Sequence, residues 1–284
     1  MNCCFIGGNI MKKTLAIIMA AAMLMSTMTA CSEKTSRLEK IKEAGVITMA
    51  TSPDFAPMEF QYVDANGKDV YAGSDIELGK YIAEKMGVEL KIEAMDFTAV
   101  QAAVTTGTVD MAISGFAKTE ERAESMELSD YYNIDNDDSI GQGILIMKDR
   151  AAELNSAEAF AGLKVGAQNG SLQYNLVSSQ LPSDVKIEQI GSLNDGVLAL
   201  TTGKIDALAV SGENGLLYAG NYPEICMSEF FFDYSSEGNV LACQKGETEL
   251  MAEINKILAE VNEQKLYSQW TDEATALAES LGIE

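Results

Sequence analysis

Arg122 is the residue of this sequence whose type and position most clearly allow chemistry. Upstream of it, a predicted strand ends at Ser114, the chain turns at Gly115, and a helix begins after Thr119. A guanidinium at the carboxyl edge of a parallel sheet can bind a carboxylate through two hydrogen bonds, assisted by free backbone N–H groups. The alternative is an exposed helix, in which Thr119 caps the first turn and Arg122 pairs with a neighbouring glutamate. The other two arginines lie in surroundings that predict solvated charge: Arg37 and Arg150.

A second group suited to an anion lies farther along the chain. Asn169, Gly170 and Ser171 precede a predicted helix, and the first N–H groups of a helix attract negative charge. Ser171 is equally well placed as an ordinary N-cap, and the two roles are compatible. Two separate segments of the sequence are therefore candidates for binding one acid group.

Composition narrows the classes of function. The 284 residues include no histidine, which excludes Ser-His-Asp and Cys-His nucleophiles, HExxH zinc sites and imidazole proton transfer. The 20 Lys plus Arg and 43 Asp plus Glu give a formal charge of −23, which repels nucleic acid phosphates. An anionic ligand would approach against the same field. A zwitterion or a cation is the favoured cargo, and we expect no nucleic acid, metal or cofactor.

The elements that must position these groups alternate between helix and strand. Residues 38–44 and 76–86 have helical apolar spacing, and each helix is followed by a glycine and an apolar strand, at 46–50 and 88–92. Such alternation predicts a mainly parallel sheet. The apolar positions 250, 254, 257, 258 and 261 predict one further helix near the C-terminus.

An internal repeat indicates two similar units. The segment Thr-Thr-Gly-Thr-Val-Asp at 105–110 recurs as Thr-Thr-Gly-Lys-Ile-Asp at 201–206, and both copies connect a predicted helix to a predicted strand. Periodicity breaks at 133–141 and again at 232–239. We expect an α/β fold of two similar lobes, each a mainly parallel sheet flanked by helices, joined by a hinge that the chain crosses twice. A cleft between such lobes can enclose a small ligand.

The predicted boundaries follow from these breaks. Lobe 1 spans 37–138 and, after the return, 234–284, while lobe 2 spans 139–233.

The two lobes contain two cysteines, Cys226 and Cys243, and the sequence leaves open whether they form a disulfide or stay free thiols.

The first 36 residues have the pattern of an export signal. Two lysines at 12–13, an apolar run at 15–25 and small residues before Cys31 predict a signal peptide at 1–30. The segment 28–31, Met-Thr-Ala-Cys, resembles the lipobox of bacterial lipoproteins, in which the cysteine is lipidated after cleavage. Residues 31–36 then form a polar tether. We expect an extracytoplasmic protein that a lipid on Cys31 holds at the cell surface.

Five segments carry a resemblance to a known family: 45–60 (GVITMATSPDFAPMEF), 73–92 (GSDIELGKYIAEKMGVELKI), 97–132, 162–171 (GLKVGAQNGS) and 266–270 (LYSQW). Over nearly all of 37–284 the chain resembles the substrate-binding proteins of polar amino acid ABC transporters, family 3 of the bacterial extracellular solute-binding proteins. The resemblance implies a periplasmic binding protein-like fold and delivery of an amino acid or similar zwitterion to an ABC permease, with the binding protein a monomer.

The resemblance also implies roles for individual residues. Arg122 would bind the α-carboxylate, beside Ser114, Gly115 and Ala117, and the Gly170-Ser171 nest would join it on closure. Phe55 matches an aromatic residue that packs on the ligand side chain, and Phe97 matches the opposite apolar wall. From the residues alone, both aromatics are also plausible as core residues, Phe97 more so than Phe55.

One departure concerns the ligand's amino group. Relatives that bind standard amino acids usually carry an acidic residue where this chain has Ser211, and it pairs with the α-ammonium. Glu213 and Glu59 are the candidates to replace it. Two other functions remain open: an enzyme resembling the cyclohexadienyl dehydratases, with Glu59 or Glu213 as its acid, and a ligand-sensing subunit of a membrane receptor.

Overall fold

Two five-stranded sheets organise the computed structural model, which describes residues 35–134 and 141–283. The predicted signal peptide at 1–30 and the predicted lipidation site Cys31 lie outside the described residues, as does the first predicted lobe boundary at 138–139. The second boundary, at 233–234, stays a prediction.

The helices are α1 (Arg37–Ala44), α2 (Ser74–Met86), α3 (Phe97–Thr106), α4 (Glu120–Ser125), α5 (Leu172–Gln180), α6 (Leu193–Thr201), α7 (Gly212–Asn221), α8 (Thr248–Gln264) and α9 (Leu266–Leu281). The strands are β1 (Val46–Thr51), β2 (Asp54–Phe55), β3 (Glu59–Val63), β4 (Asp69–Ala72), β5 (Glu89–Ala94), β6 (Met111–Ala112), β7 (Met126–Leu128), β8 (Gln142–Met147), β9 (Lys164–Gln168), β10 (Lys186–Ile190), β11 (Ala207–Ser211), β12 (Ile225–Phe231) and β13 (Ala242–Gln244). The helices and strands expected from residue spacing are confirmed to within one or two residues.

The two sheets have matching topology. The first has the order β5-β1-β6-β13-β7 and the second β10-β9-β11-β8-β12. In each, three neighbouring strands are parallel, and the fourth, β13 or β8, is antiparallel to both of its neighbours. The predicted α/β class with mainly parallel sheets is confirmed. A small antiparallel sheet, β2-β3-β4, follows β1.

Two chain segments connect the large sheets and lie side by side. The chain leaves the first sheet after β7 and returns to it at β13. Between these points Tyr132 and Asn239 form an isolated antiparallel bridge, with N–H to O distances of 2.9 and 3.0 Å in the two directions. Because the two crossings are bonded to each other, they act as a paired connection.

The repeated motif has the same structural role in both sheets. Gly107 and Gly203 each follow a helix, and both glycines adopt the left-handed conformation, with φ of 71°. A residue with a side chain rarely adopts this conformation. The aspartates that close the two copies, Asp110 and Asp206, then accept a hydrogen bond from the backbone N–H of the neighbouring parallel strand, at 2.7 and 2.9 Å.

The same two aspartates correct an expectation about arginine. Arg37 and Arg150, expected to be solvated charges, form ion pairs with Asp110 and Asp206 respectively. Each arginine therefore ties a helical segment to the end of a repeated motif.

Apolar clusters cover the faces of each sheet, and the two cysteines belong to different ones. Cys243 is buried in the cluster of the first sheet, and Cys226 packs against that of the second. Both are free thiols, which settles the alternative that the sequence left open. Within the described ranges, no helix has the length and apolar character needed to cross a bilayer.

Candidate ligand-binding site

A cavity of about 200 Å³ lies between the two sheets. One water needs about 10–15 Å³ on the same measure, so the space suits a small molecule of on the order of ten non-hydrogen atoms. Its lining includes Ser52, Asp54, Phe55, Met58, Glu59, Phe97, Ser114, Gly115, Ala117, Arg122, Asn133, Gln142, Gln168, Ser171, Leu172, Gln173, Ser211, Glu213, Tyr234, Glu237 and Asn239. Ten of the eleven predicted site residues line this cavity. Gly170 lies in a neighbouring cavity of about 340 Å³ that shares Arg122.

Arg122 is buried between the two sheets, with 6% of its surface exposed. Thr119 caps helix α4, as the exposed-helix alternative requires, but in the described part of the chain Arg122 forms no ion pair. Its guanidinium donates to Ala117 O at 2.7 Å and, across the cavity, to Gly170 O at 3.1 Å. A guanidinium has five N–H groups, so these two bonds leave donors for a ligand acid group.

Aromatic rings support this guanidinium. The carbon at its centre lies 5.5 Å from the ring centre of Phe97 and 5.0 Å from that of Phe116. Burial lowers the pKa of Arg122 to about 10, which still leaves it protonated at neutral pH. Among the described residues this buried cation, held by carbonyls and ring faces, has no ion-pair partner, and an incoming carboxylate supplies one.

Phe55 and Phe97 occupy different positions in the cavity. Phe55, in β2, packs against the apolar cluster of the second sheet, so its ring spans the gap between the sheets. A Cβ on Gly115 would lie 3.1 Å from that ring, which shows why this position lacks a side chain. Phe97 begins helix α3 and is 8% exposed, with its ring against Phe116 and Arg122.

Glu59 is one of the residues that line the cavity, but its side chain is almost fully buried. It is 1% exposed, Oε1 accepts from Ser114 Oγ at 2.9 Å, and Oε2 receives no hydrogen from any neighbouring donor. Burial, followed by the charge of Asp75, raises the pKa of Glu59 well above its usual value. Glu59 therefore carries a proton that it shares with Asp75.

Burial raises the pKa of Asp75 too, but three donors surround Asp75 and oppose this rise, so it is the better placed of the two to carry the charge. Tyr267 Oη donates to Oδ1 at 2.6 Å, while Tyr132 Oη and Gly115 N donate to Oδ2 at 3.1 and 2.8 Å. The N–H of Gly115 is thus already engaged. The buried pair orients the Ser114-Gly115 turn, and it leaves Glu59 poorly suited to pair with a ligand ammonium.

The turn before helix α5 is arranged differently from an open anion nest. The carbonyl of Gly170, rather than its N–H, faces the guanidinium of Arg122. Ser171 N donates to Gln168 O at 3.1 Å, and Ser171 Oγ caps the helix by accepting from Tyr174 N. The N-cap role of Ser171 is confirmed, and its share in carboxylate binding stays a prediction.

Ser211 and Glu213 lie together at the start of helix α7. Ser211 Oγ caps this helix and bonds to Asn214, whose Nδ2 donates to Ala56 O in the first half of the chain. Glu213 lines the cavity in the first turn of the helix. Whether Glu213 pairs with a ligand ammonium stays a prediction.

Sequence reasoning missed several lining residues, among them Asp54, Gln142 and Gln168. Gln168 is the last residue of the parallel strand β9, which is the edge at which α/β proteins bind ligands. The position of Gln168 at the end of a strand is a signal of ligand binding that the sequence contained. Asp54 is partly buried, and burial raises its pKa.

A sequence profile of the bacterial extracellular solute-binding proteins, family 3, matches residues 47–273. The chain belongs to this family. It is 28% identical over 269 residues to the arginine-binding extracellular protein ArtP of Bacillus subtilis, covering 92% of this chain and 98% of that one. It is 27% identical over 214 residues to the L-arginine-binding protein of Pseudomonas aeruginosa, covering 71% and 78%.

A solved structure is similar over the same range. The amino acid ABC transporter substrate-binding protein AbpA of Streptococcus pneumoniae, bound to L-arginine, matches with a TM-score of 0.78 and 30% identity. The match covers 87% of this chain and 99% of AbpA. The protein is an amino acid-binding protein of an ABC transporter, as its sequence predicts, in a family whose members are extracellular and serve transport.

Proposed function

We propose that this family 3 protein captures a basic amino acid, with L-arginine as the first ligand to test. The observation that carries the proposal is the charge of the cavity. Among the described lining residues Arg122 is the one cation, whereas Asp54, Glu59, Glu213 and Glu237 carry carboxyl groups. Even with Glu59 protonated, the lining is negative, which favours a ligand with one acid group and additional positive charge.

The proposed binding mode follows from the contacts. The ligand carboxylate pairs with the remaining N–H groups of Arg122, where it meets a buried cation that forms no ion pair with the described residues. Glu213 binds the α-ammonium and so replaces the acidic residue that relatives usually carry at the position of Ser211. The aliphatic stem of the ligand packs against Phe55 and Phe97. The relatives ArtP and AbpA, whose names and ligand specify arginine, support this choice of ligand.

Several finer points belong to the same proposal. The protein is exported, lipidated on Cys31 and held at the outer face of the membrane, where it presents its ligand to an ABC permease as a monomer. It is not an enzyme: its family is one of solute-binding proteins, and Glu59, one of the two acids that a dehydratase could use, is buried and bonded to Ser114.

Calorimetric titration tests the site. Wild-type protein is expected to bind L-arginine with a dissociation constant on the order of micromolar, about −8 kcal/mol. Arg122→Ala removes the only cation of the described lining and is expected to abolish measurable binding. The matched control is Arg150→Ala, which removes a half-exposed arginine at an ion pair with Asp206, away from the cavity. Unchanged affinity in Arg122→Ala would reject the site.

A further inference from the structure

Asp54 connects the two sides of the cavity through hydrogen bonds to both of them. Strand β2 begins at Asp54, on the side of the first sheet, and Asp54 Oδ1 accepts from Ser52 Oγ at 2.8 Å. Its Oδ2 accepts from two donors of the other side, Gln168 Nε2 at 3.0 Å and the backbone N–H of Leu193 at 2.9 Å.

The Leu193 donor makes this contact distinctive. Leu193 is the first residue of helix α6, after the N-cap Ser192, and a first-turn amide has no acceptor within its own helix. A carboxylate at that point satisfies the free N–H and interacts favourably with the helix dipole. Leu193 itself is not part of the cavity lining.

Other contacts between the two sides are of a different kind. Thr98 Oγ1 and Gln101 Nε2 donate to carbonyls of Asn169 and Gly170 at 3.3 Å, and Asn214 donates to Ala56 O. These are bonds between uncharged groups. Arg122 also donates across the cavity, but an incoming carboxylate would compete for its N–H groups. Of the cross-cavity bonds in the described residues, those of Asp54 combine a charged acceptor with two donors.

We propose that Asp54 is an interdomain latch: its carboxylate docks on Gln168 and on the N-terminus of helix α6 when the two sides close, and so slows ligand release. The inference rests on the proposed function, since it concerns closure around a bound amino acid. Asp54 lines the cavity, but the role proposed here is that of a positioning residue, because its Oδ2 is engaged by Gln168 and Leu193 and acts through the closed state.

The first test compares Asp54→Asn with Asp69→Asn. Asparagine keeps the size of Asp54 but presents N–H groups to some of the three donors, whereas Asp69 is exposed and its replacement changes only net charge. We expect Asp54→Asn to weaken L-arginine binding at least tenfold, about 1.4 kcal/mol. The change should appear in the dissociation rate, with the association rate nearly unchanged. Equal affinity in the two variants would overturn the latch.

A second pair separates the latch from a direct ligand contact. Leu193→Pro deletes the N–H donor at a first helical position, where proline is well tolerated, and Ser192 already has a compatible backbone (φ −130°, ψ 155°). Leu193→Ala is the control, because it also removes the buried side chain but keeps the N–H. Proline is expected to weaken binding at least tenfold relative to alanine. Adding Asp54→Asn to the Leu193→Pro variant should lower the affinity for L-arginine little further. Equal binding by the proline and alanine variants, or full additivity, would reject the proposal.

Amide exchange at Leu193, measured with and without saturating L-arginine, gives an independent readout of the bond. Because this N–H has no helical acceptor, its protection in the folded protein reports the bond to Asp54. Exchange at least tenfold faster in Asp54→Asn than in Asp69→Asn supports the latch, and equal rates refute it. Failure of wild-type protein to bind any of the twenty amino acids would instead reject the proposed function, and the exchange rates would then decide the latch alone.

Discussion

The shared proton of Glu59 and Asp75 is the feature of single residues with the widest consequences. Two acid groups in one buried site cannot both ionise without large cost, so the one with fewer donors keeps its proton. That residue is Glu59, and Asp75 takes the donors of Tyr132, Tyr267 and Gly115. The floor of the cavity is therefore fixed by a network that depends on pH.

Replacing Glu59 by glutamine should flatten the dependence of stability on pH. The folded protein keeps the Glu59 proton above the ordinary glutamate pKa, whereas the unfolded chain releases it near that pKa. Wild-type stability contributed by this proton is thus complete below the unfolded pKa. It falls as pH rises toward the folded pKa, by up to about 1.4 kcal/mol per pH unit. Glutamine donates to Asp75 and accepts from Ser114 without titrating.

Urea unfolding at pH 5, 6 and 7 measures this difference. The chain contains no histidine, so few other groups titrate in this window. The control Glu84→Gln, at an exposed position of helix α2, should follow the wild-type slope. A Glu59→Gln variant whose stability declines in parallel with wild type would contradict the shared proton.

The aromatic support of Arg122 gives a second prediction for single residues. Phe116 is fully buried, does not line the cavity, and lies under the guanidinium. Phe116→Leu is expected to weaken L-arginine binding about fivefold, about 1 kcal/mol, through loss of a cation–π contact. Phe160→Leu is the matched control, since Phe160 is equally buried in the core of the second sheet. Calorimetry should show normal affinity for this control, and equal losses in both variants would exclude a specific effect.

Among the elements, the repeated helix-turn-strand unit stabilises each sheet separately. Its aspartate bonds to the adjacent strand and to an arginine in each copy, but the two copies differ in depth. The Asp110 side chain is 11% exposed and accepts from Thr48 N and Thr48 Oγ1 as well as Arg37. The Asp206 side chain is 36% exposed and accepts from Lys164 N and Arg150.

This difference predicts unequal losses of stability. Asp110→Ala leaves buried donors without an acceptor and should lower the free energy of unfolding by about 3 kcal/mol. Asp206→Ala should lower it by about 1 kcal/mol, because water can replace the lost bonds. Chemical denaturation of both variants provides the comparison, and similar midpoints would show that burial does not control the contribution of the motif.

Elements were easier to predict from the sequence than the contacts between them. Helix stops at Gly87 and Gly107, the cap at Ser171 and the inward position of Arg122 all depend on a few neighbouring residues. The pairs Asp54–Leu193 and Glu59–Asp75 depend on how distant segments meet, and hydrogen-bond partners across a fold leave no local pattern. The same limit explains why Gly115 was expected to assist a ligand, whereas its N–H bonds to Asp75.

At the scale of the whole molecule, a buried cation operates inside a strongly anionic protein. The chain carries a formal charge of −23, and the cavity opens between two sheets joined by two paired segments. The arginine ligand proposed above would reach the site along a favourable field and would place its single acid group on Arg122. The charge of the protein thus favours the encounter, while the residues of the cavity determine how the ligand is held.

Salt should therefore weaken the binding of L-arginine more than that of L-citrulline, which has nearly the same shape and lacks the side-chain charge. The screening length falls from about 30 Å at 0.01 M salt to about 8 Å at 0.15 M, so the long-range attraction is largely lost across this range. We expect the affinity for arginine, measured by calorimetry at both salt concentrations, to fall several-fold through a slower association. The affinity for citrulline should stay nearly constant, because a neutral side chain feels little of the field. Equal salt dependence for the two ligands would show that the net charge of the protein does not contribute to its preference for a basic ligand.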